Sequence, residues 1–260
     1  MTAEALAVAE KSADAYREAF GERLSAVYLL GSLAYGGFSA AVSDIDLALV
    51  LADSSEGDRE TVDRVSESLR ERGGLYPKLS VFWASLPALS EGRDDGRFPA
   101  LDRLELAEHG RLLIGDEVAA SVARPEAEEL SLESARFAVG VLSTDEVIAE
   151  FHTPRRLLAD AVWFTKAVLF PVRFLYSNAK TGGRAAANDE AVEWYLSRMD
   201  APAKPLVERA ARIRAGEPLG DGGFAAELRE LYRYYIDDQI GRLTDAELIS
   251  SFERWRTRLS

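Results

Sequence analysis

The sequence predicts an α+β protein, in which a mixed-sheet domain of short strands and helices is followed by an all-α helical bundle. Three observations predict it. Apolar runs of strand length, each closed by glycine, proline or a polar loop, occur only in the first 115 residues. Before and between them, apolar residues recur at spacings of three and four, the period of amphipathic helices. From Asp116 onward the strand signals vanish and the helical period carries on to the last residues. The expected boundary is therefore near Gly115, with domains at 1–115 and 116–260. No long linker separates them, so the two halves are expected to pack together around a cleft.

Each element follows from local chemistry. Ala3 to about Phe20 has the helical period, and Gly21 ends it. Leu24-Ser-Ala-Val-Tyr-Leu-Leu30 is short and apolar and reads as a buried strand. Ser32 is placed to cap a short helix that stops at Gly36-Gly37. Ile45 to Leu51 is the next strand, and Asp58 to about Arg72 a charged amphipathic helix stopped by Gly73-Gly74. Lys78 to Trp83 is a third strand, ended by Pro87 and the polar loop Ser90 to Gly96, and Arg111 to Ile114 is a short edge strand. Helices are then expected over Leu130–Glu150, Thr153–Ser177, Asp189–Arg198, Lys204–Ala215, Phe224–Arg242 and Asp245–Leu259. Pro154 suits the first turn of its helix, whereas Pro171 should kink or split the long one.

Composition narrows the function classes. The formal net charge is −13. A protein that tracks a phosphate backbone draws its affinity from basic side chains, so nucleic acid is not the expected partner. An acidic cleft instead attracts divalent cations and cationic small molecules. There is no cysteine, which removes disulfides and thiolate metal sites. The first residues are acidic where a secretory leader would be basic. The longest apolar run, Ala161 to Leu175, is broken by Lys166, Pro171 and Arg173, so no membrane span is expected. A cytoplasmic protein is the expectation.

The chemistry concentrates between Tyr28 and Leu47. Alternation along a strand puts Asp44 and Asp46 on one face, with Ile45, Leu47 and Leu49 on the other. Two adjacent carboxylates repel unless a cation lies between them, and hard oxygen ligands without Cys or His point to Mg²⁺ or Mn²⁺. Gly31-Ser32 adds a phosphate site, because glycine admits close approach and the strand-to-helix turn presents N–H groups. The Ser32 hydroxyl is a further donor, and Ser43 stands just before the first carboxylate. Paired with metal ions, such a turn can hold an α-phosphoryl group in line for attack by a hydroxyl. The histidines His109 and His152 are too few and too far apart in sequence to suggest a metal pair and are expected to be structural or exposed.

This hydrophobic strand, Gly31-Ser32 and Asp44-Ile45-Asp46, at this spacing, resembles the signature of the polymerase β-like nucleotidyltransferase superfamily over Leu24 to Leu51. The resemblance implies that Asp44 and Asp46 bind catalytic Mg²⁺, two ions being expected, and that Gly31 and Ser32 hold a nucleoside triphosphate. A second stretch, Phe174 to Arg184 followed by Glu190-Ala191-Val-Glu193-Trp194, is similar to streptomycin/spectinomycin adenylyltransferases. It implies ATP as donor and a cationic aminoglycoside-like acceptor, bound between two domains.

Two departures stand out. The third carboxylate usual on the next core strand falls at Ser80, and a serine is no base near neutral pH. Asp102, Glu105 or Asp160 could supply it, the substrate could need little base assistance, or catalysis could be lost. The phosphate-contacting lysine of the adenylyltransferases falls at Asn188, with Lys180 and Arg184 as nearby substitutes. The leading expectation is transfer of a nucleoside monophosphate, AMP from ATP, to a hydroxyl of a small cationic molecule. The alternative is a catalytically degenerate nucleotide-binding sensor; transfer to a protein side chain ranks last.

Overall fold

The computed structural model describes residues 2–180, 187–220 and 223–260. The chain divides into two compact units, residues 1–125 and 126–260. In the first unit, α1 (Thr2–Phe20) leads into β1 (Leu24–Leu30), which turns directly into α2 (Gly31–Tyr35). Then follow β2 (Ile45–Leu51), α3 (Asp58–Arg70), β3 (Leu79–Ser85), α4 (Leu86–Ser90), α5 (Ala100–His109) and β4 (Arg111–Gly115). The strand order is β3-β2-β1-β4. β1 is antiparallel to β2 and to β4, whereas β2 and β3 run parallel, so the sheet is mixed.

Both faces of this sheet are covered, which is why its central strands read as nearly unbroken apolar runs. One face presents Val27, Leu29, Ile45, Leu47, Leu49, Leu51, Val81 and Trp83 to a core completed by α1 and α3. The other presents Ala26, Tyr28, Leu30, Ala48, Val50, Phe82 and Ala84 to Phe98 and to Leu106 of α5. Ile45, Leu47, Leu49 and Leu51 are fully buried, each contributing roughly 1.5–3 kcal/mol of transfer free energy. That fixes the register of β2: a slip of one residue would send all four to the opposite face. Asp46 alternates with them and so lies on the side of the sheet that α5 covers.

The second unit is helical, with α6 (Ala127–Phe137), α7 (Asp145–His152), α8 (Arg156–Ala159), α9 (Ala161–Ala179), α10 (Asn188–Ser197), α11 (Lys204–Arg214), α12 (Ala225–Arg242) and α13 (Ala246–Arg258). Its core centres on Phe164, Val168, Tyr232, Tyr235, Phe252 and Trp255. The predicted helices are present, but two are divided. The span 130–150 is broken by a π-turn at Ala138–Leu142, after which the Thr144 hydroxyl accepts from Val147 N and caps α7. The span 153–177 starts late, because Asp160 caps α9 through Trp163 N, and Pro154 lies outside any helix. Asp160, one of the acids considered for the third carboxylate, thus caps α9 and also lies 3.8 Å from Arg156 Nε. Pro171 neither splits α9 nor leaves an orphan. Its missing N–H would strand the carbonyl four residues back, at Ala167, and the Tyr232 hydroxyl donates to that carbonyl at 2.7 Å.

Candidate active site

The sequence-predicted groups meet where β1 ends and β2 and β3 begin. Leu30 pairs with Asp46 across β1 and β2, and Asp46 pairs with Ser80 across β2 and β3. Ser80 therefore occupies the position beside Asp46 that the sequence assigned it. Asp44 stands two residues before Asp46, at the threshold of the strand, and both carboxylates are half-buried.

Ser32 does not cap α2. The N-cap position is Leu30, with no side-chain bond, and Gly31 opens the helix at φ +61°. Ser32 lies inside the first turn, buried, and its hydroxyl donates to Ser43 Oγ at 3.2 Å. Ser43 Oγ also accepts from the Ser39 amide at 3.0 Å, while its own amide donates to Ser39 O at 2.7 Å. Ser43 thus closes the 39–43 turn and ties it to α2. Lys78 reinforces this turn from the edge of the sheet, its ammonium donating to Ala41 O and Ser43 O at 3.3 Å each.

Gly31 is the meeting point of two carboxylates. Its positive φ suits glycine, and a Cβ on it would overlap Asp46 Oδ2, with Asp46 Cγ at 3.2 Å. Its amide, which has no intrahelical acceptor because it lies in the first turn, donates to Glu105 Oε2 at 3.2 Å. Glu105 is buried on α5. A carboxylate thus stands beside this turn, carried by a helix that packs on the same sheet face. Sequence reasoning named Glu105 among three candidates and had no means to choose. The helix that carries it, α5, was not among the predicted elements; the available signal was a carboxylate set between Leu104 and Leu106. The expected phosphate-binding amide of Gly31 is engaged by Glu105 instead.

Among the described residues, no three Asp, Glu, His or Cys side chains cluster closely enough to hold a metal by themselves. Asp44 and Asp46 offer a two-carboxylate donor set. Lys180 lies in the second unit at the end of α9, with its ammonium 4.9 Å from the centre of the Tyr176 ring. Arg184 falls outside the described residues. Asn188 opens α10. Trp194 packs edge-on to Tyr176, and Tyr195 is fully buried, donating to Pro202 O. His152 bonds the Arg258 carbonyl, and His109 packs against Tyr35 with ring centres 5.3 Å apart. No described helix is long and apolar enough to cross a membrane.

No protein-family model matches the chain, and no curated protein does. Among solved structures it is similar to the crystal structure of spectinomycin adenyltransferase AAD(9) from Enterococcus faecialis, determined with ATP and spectinomycin. The TM-score is 0.57, over 100% of this chain and 99% of that one, at 12% identity. The chain therefore has a nucleotidyltransferase-like fold. In particular it shares the arrangement of an adenylyltransferase of that kind, an N-terminal sheet domain with a C-terminal helical one.

Proposed function

We propose that the chain is a Mg²⁺-dependent nucleotidyltransferase that moves AMP from ATP to a hydroxyl of a small cationic acceptor of the aminoglycoside kind. The observation that carries this reading is the convergence of Asp46 and Glu105 on Gly31, at the turn from β1 into α2. Asp44 and Asp46 would hold the metal. Two carboxylates without a third protein ligand suit Mg²⁺, which keeps waters and completes its octahedron with substrate phosphates rather than with an all-protein cage. When bound, the ion neutralises charge on the phosphate oxygens.

The chain's own residues supply the rest. Glu105 accepts the proton of the acceptor hydroxyl as that oxygen bonds to the α-phosphorus. The bond from phosphorus to the bridging oxygen breaks, and pyrophosphate leaves. The Ser32 and Ser43 hydroxyls donate to phosphate oxygens, and the Gly31 amide joins them when it exchanges its Glu105 partner for the nucleotide. Lys180 and Arg184 are the phosphate contacts proposed from the helical half. The excess of acidic side chains favours a cationic acceptor, and the neighbour's ATP and spectinomycin are of the matching classes. Ser80 and Asn188 favour a sensor without turnover; Glu105 beside Gly31 favours the transferase over it.

The test is transfer of label from α-labelled ATP to a panel of aminoglycoside and aminocyclitol acceptors. The parent should label at least one, and Asp44→Asn with Asp46→Asn should label none. Undiminished transfer by that double variant would remove the assignment.

A further inference from the structure

Helix α2 is five residues long and ends at Gly36 and Gly37, both with positive φ. A helix this short has no stability of its own, so its place is set by what it packs against. Two of its contacts with α5 bear on that place. At its first residue, the Gly31 amide donates to Glu105. At its last, the Tyr35 ring packs against the His109 ring, inclined at 60° with centres 5.3 Å apart. Gly31 and Tyr35 are four residues apart on α2, and Glu105 and His109 are four apart on α5. Residues at that spacing share a helix face, one turn from each other. The two helices are therefore matched by two contacts, one polar and one aromatic.

We infer that Tyr35 and His109 form a positioning clamp, which sets the register of α5 against α2 and so holds the Glu105 carboxylate at Gly31. The ring contact lies one turn from the polar one and adds to the packing of Leu106 in fixing how α5 lies against Gly31. Arg103, also on α5, donates to Gly92 O at 3.0 Å, which ties the helix to the 90s loop. Neither Tyr35 nor His109 is a catalytic residue. The consequence for turnover rests on reading Glu105 as the base; the consequence for geometry does not.

The experiment measures hydrogen exchange of the Gly31 amide by NMR in the full chain, with the Val27 and Leu47 amides of the sheet as internal reference. Glu105→Ala marks the value without the acceptor. His109→Ala and Tyr35→Ala should each speed Gly31 exchange roughly five-fold, the scale of an aromatic contact, while the reference amides hold. His109→Phe, which keeps a ring, should restore the parent value. Gly31 exchange unchanged in both alanine variants overturns the clamp. So does an equal acceleration of the reference amides, since the contact would then only stabilise the unit as a whole. Under the transferase reading, His109→Ala should lower kcat and leave the KM for ATP in place, with His109→Phe recovering kcat. If the parent transfers no label, the transferase reading fails; if Glu105→Gln leaves kcat intact, only the base assignment fails; in either case the exchange result still decides the clamp.

Discussion

Replacing Gly31 by alanine tests the site most directly, because a second glycine provides the control. Gly21 has φ +58° and open space where a Cβ would stand. Gly31 has φ +61°, but its Cβ would overlap Asp46 Oδ2 and lie 3.2 Å from Cγ and 3.5 Å from Cβ. Both substitutions cost about 1 kcal/mol for holding an L-residue in the left-handed region. Gly31→Ala must also push Asp46 from its rotamer, about 1 kcal/mol, and shift the turn enough to weaken the Glu105 bond, about 1 kcal/mol more. The expected losses are therefore about 1 kcal/mol at Gly21 and about 3 kcal/mol at Gly31. Urea titration followed at the β1 and β2 amides reads both in the unit that holds the site. A difference of about 2 kcal/mol separates the midpoints by about 1 M. Gly31→Ala should also abolish label transfer, whereas Gly21→Ala should not. Equal midpoints, with transfer retained in Gly31→Ala, would refute the close approach of Asp46 on which the site is built.

Three further outcomes are expected. Glu105→Gln keeps the shape of the side chain but not its basicity, so kcat should fall by about 10²–10⁴ with Mg²⁺–ATP binding retained by calorimetry; unaltered kcat would return the base to another residue. Tyr232→Phe should cost about 1–3 kcal/mol by stranding the Ala167 carbonyl opposite Pro171, and Pro171→Ala in the same background, by restoring an N–H, should recover part of it in thermal unfolding; strictly additive effects would exclude that link. Asp58, buried, accepts from both terminal nitrogens of Arg23 at 2.7 and 2.9 Å, and these bonds, with the Ser55 amide, hold its carboxyl below the usual range. A depressed carboxylate stabilises the fold above its unfolded pKa of about 3.9 and loses that contribution as pH falls further. The Tm advantage of the parent over Asp58→Asn should thus be level near neutrality and shrink below about pH 4; a gap that stays constant to pH 2.5 would contradict the assignment.

Much of the architecture was legible because it rests on local periodicity. Leu24–Leu30 and Ile45–Leu51 read as strands and are strands, since apolar runs ended by glycine or a polar loop leave few other ways to bury. Helix breaks were less legible. The π-turn at Ala138–Leu142 has no glycine or proline pair to announce it beyond Gly140, and α9 runs through Pro171 only because Tyr232, far along the chain, satisfies the freed carbonyl. Ser32 reads as a cap and is not one, because Gly31 enters the helix at positive φ and carries the turn one residue earlier.

The sequence by itself determined the fold class, the place of Asp46 on the strand face opposite Ile45, Leu47 and Leu49, and the presence of Gly31 and Ser32 at a strand-to-helix turn. Each is a short-range property, governed by the two-residue period of a strand or the conformational freedom of glycine. Only the tertiary structure decided which acid faces Gly31. Asp102 and Glu105 lie on the same short helix, and the choice between them depends on how that helix lies across the sheet. Leu106 buries itself against the face that carries Tyr28 and Leu30, and that packing, between residues some 75 positions apart, brings Glu105 to the Gly31 amide.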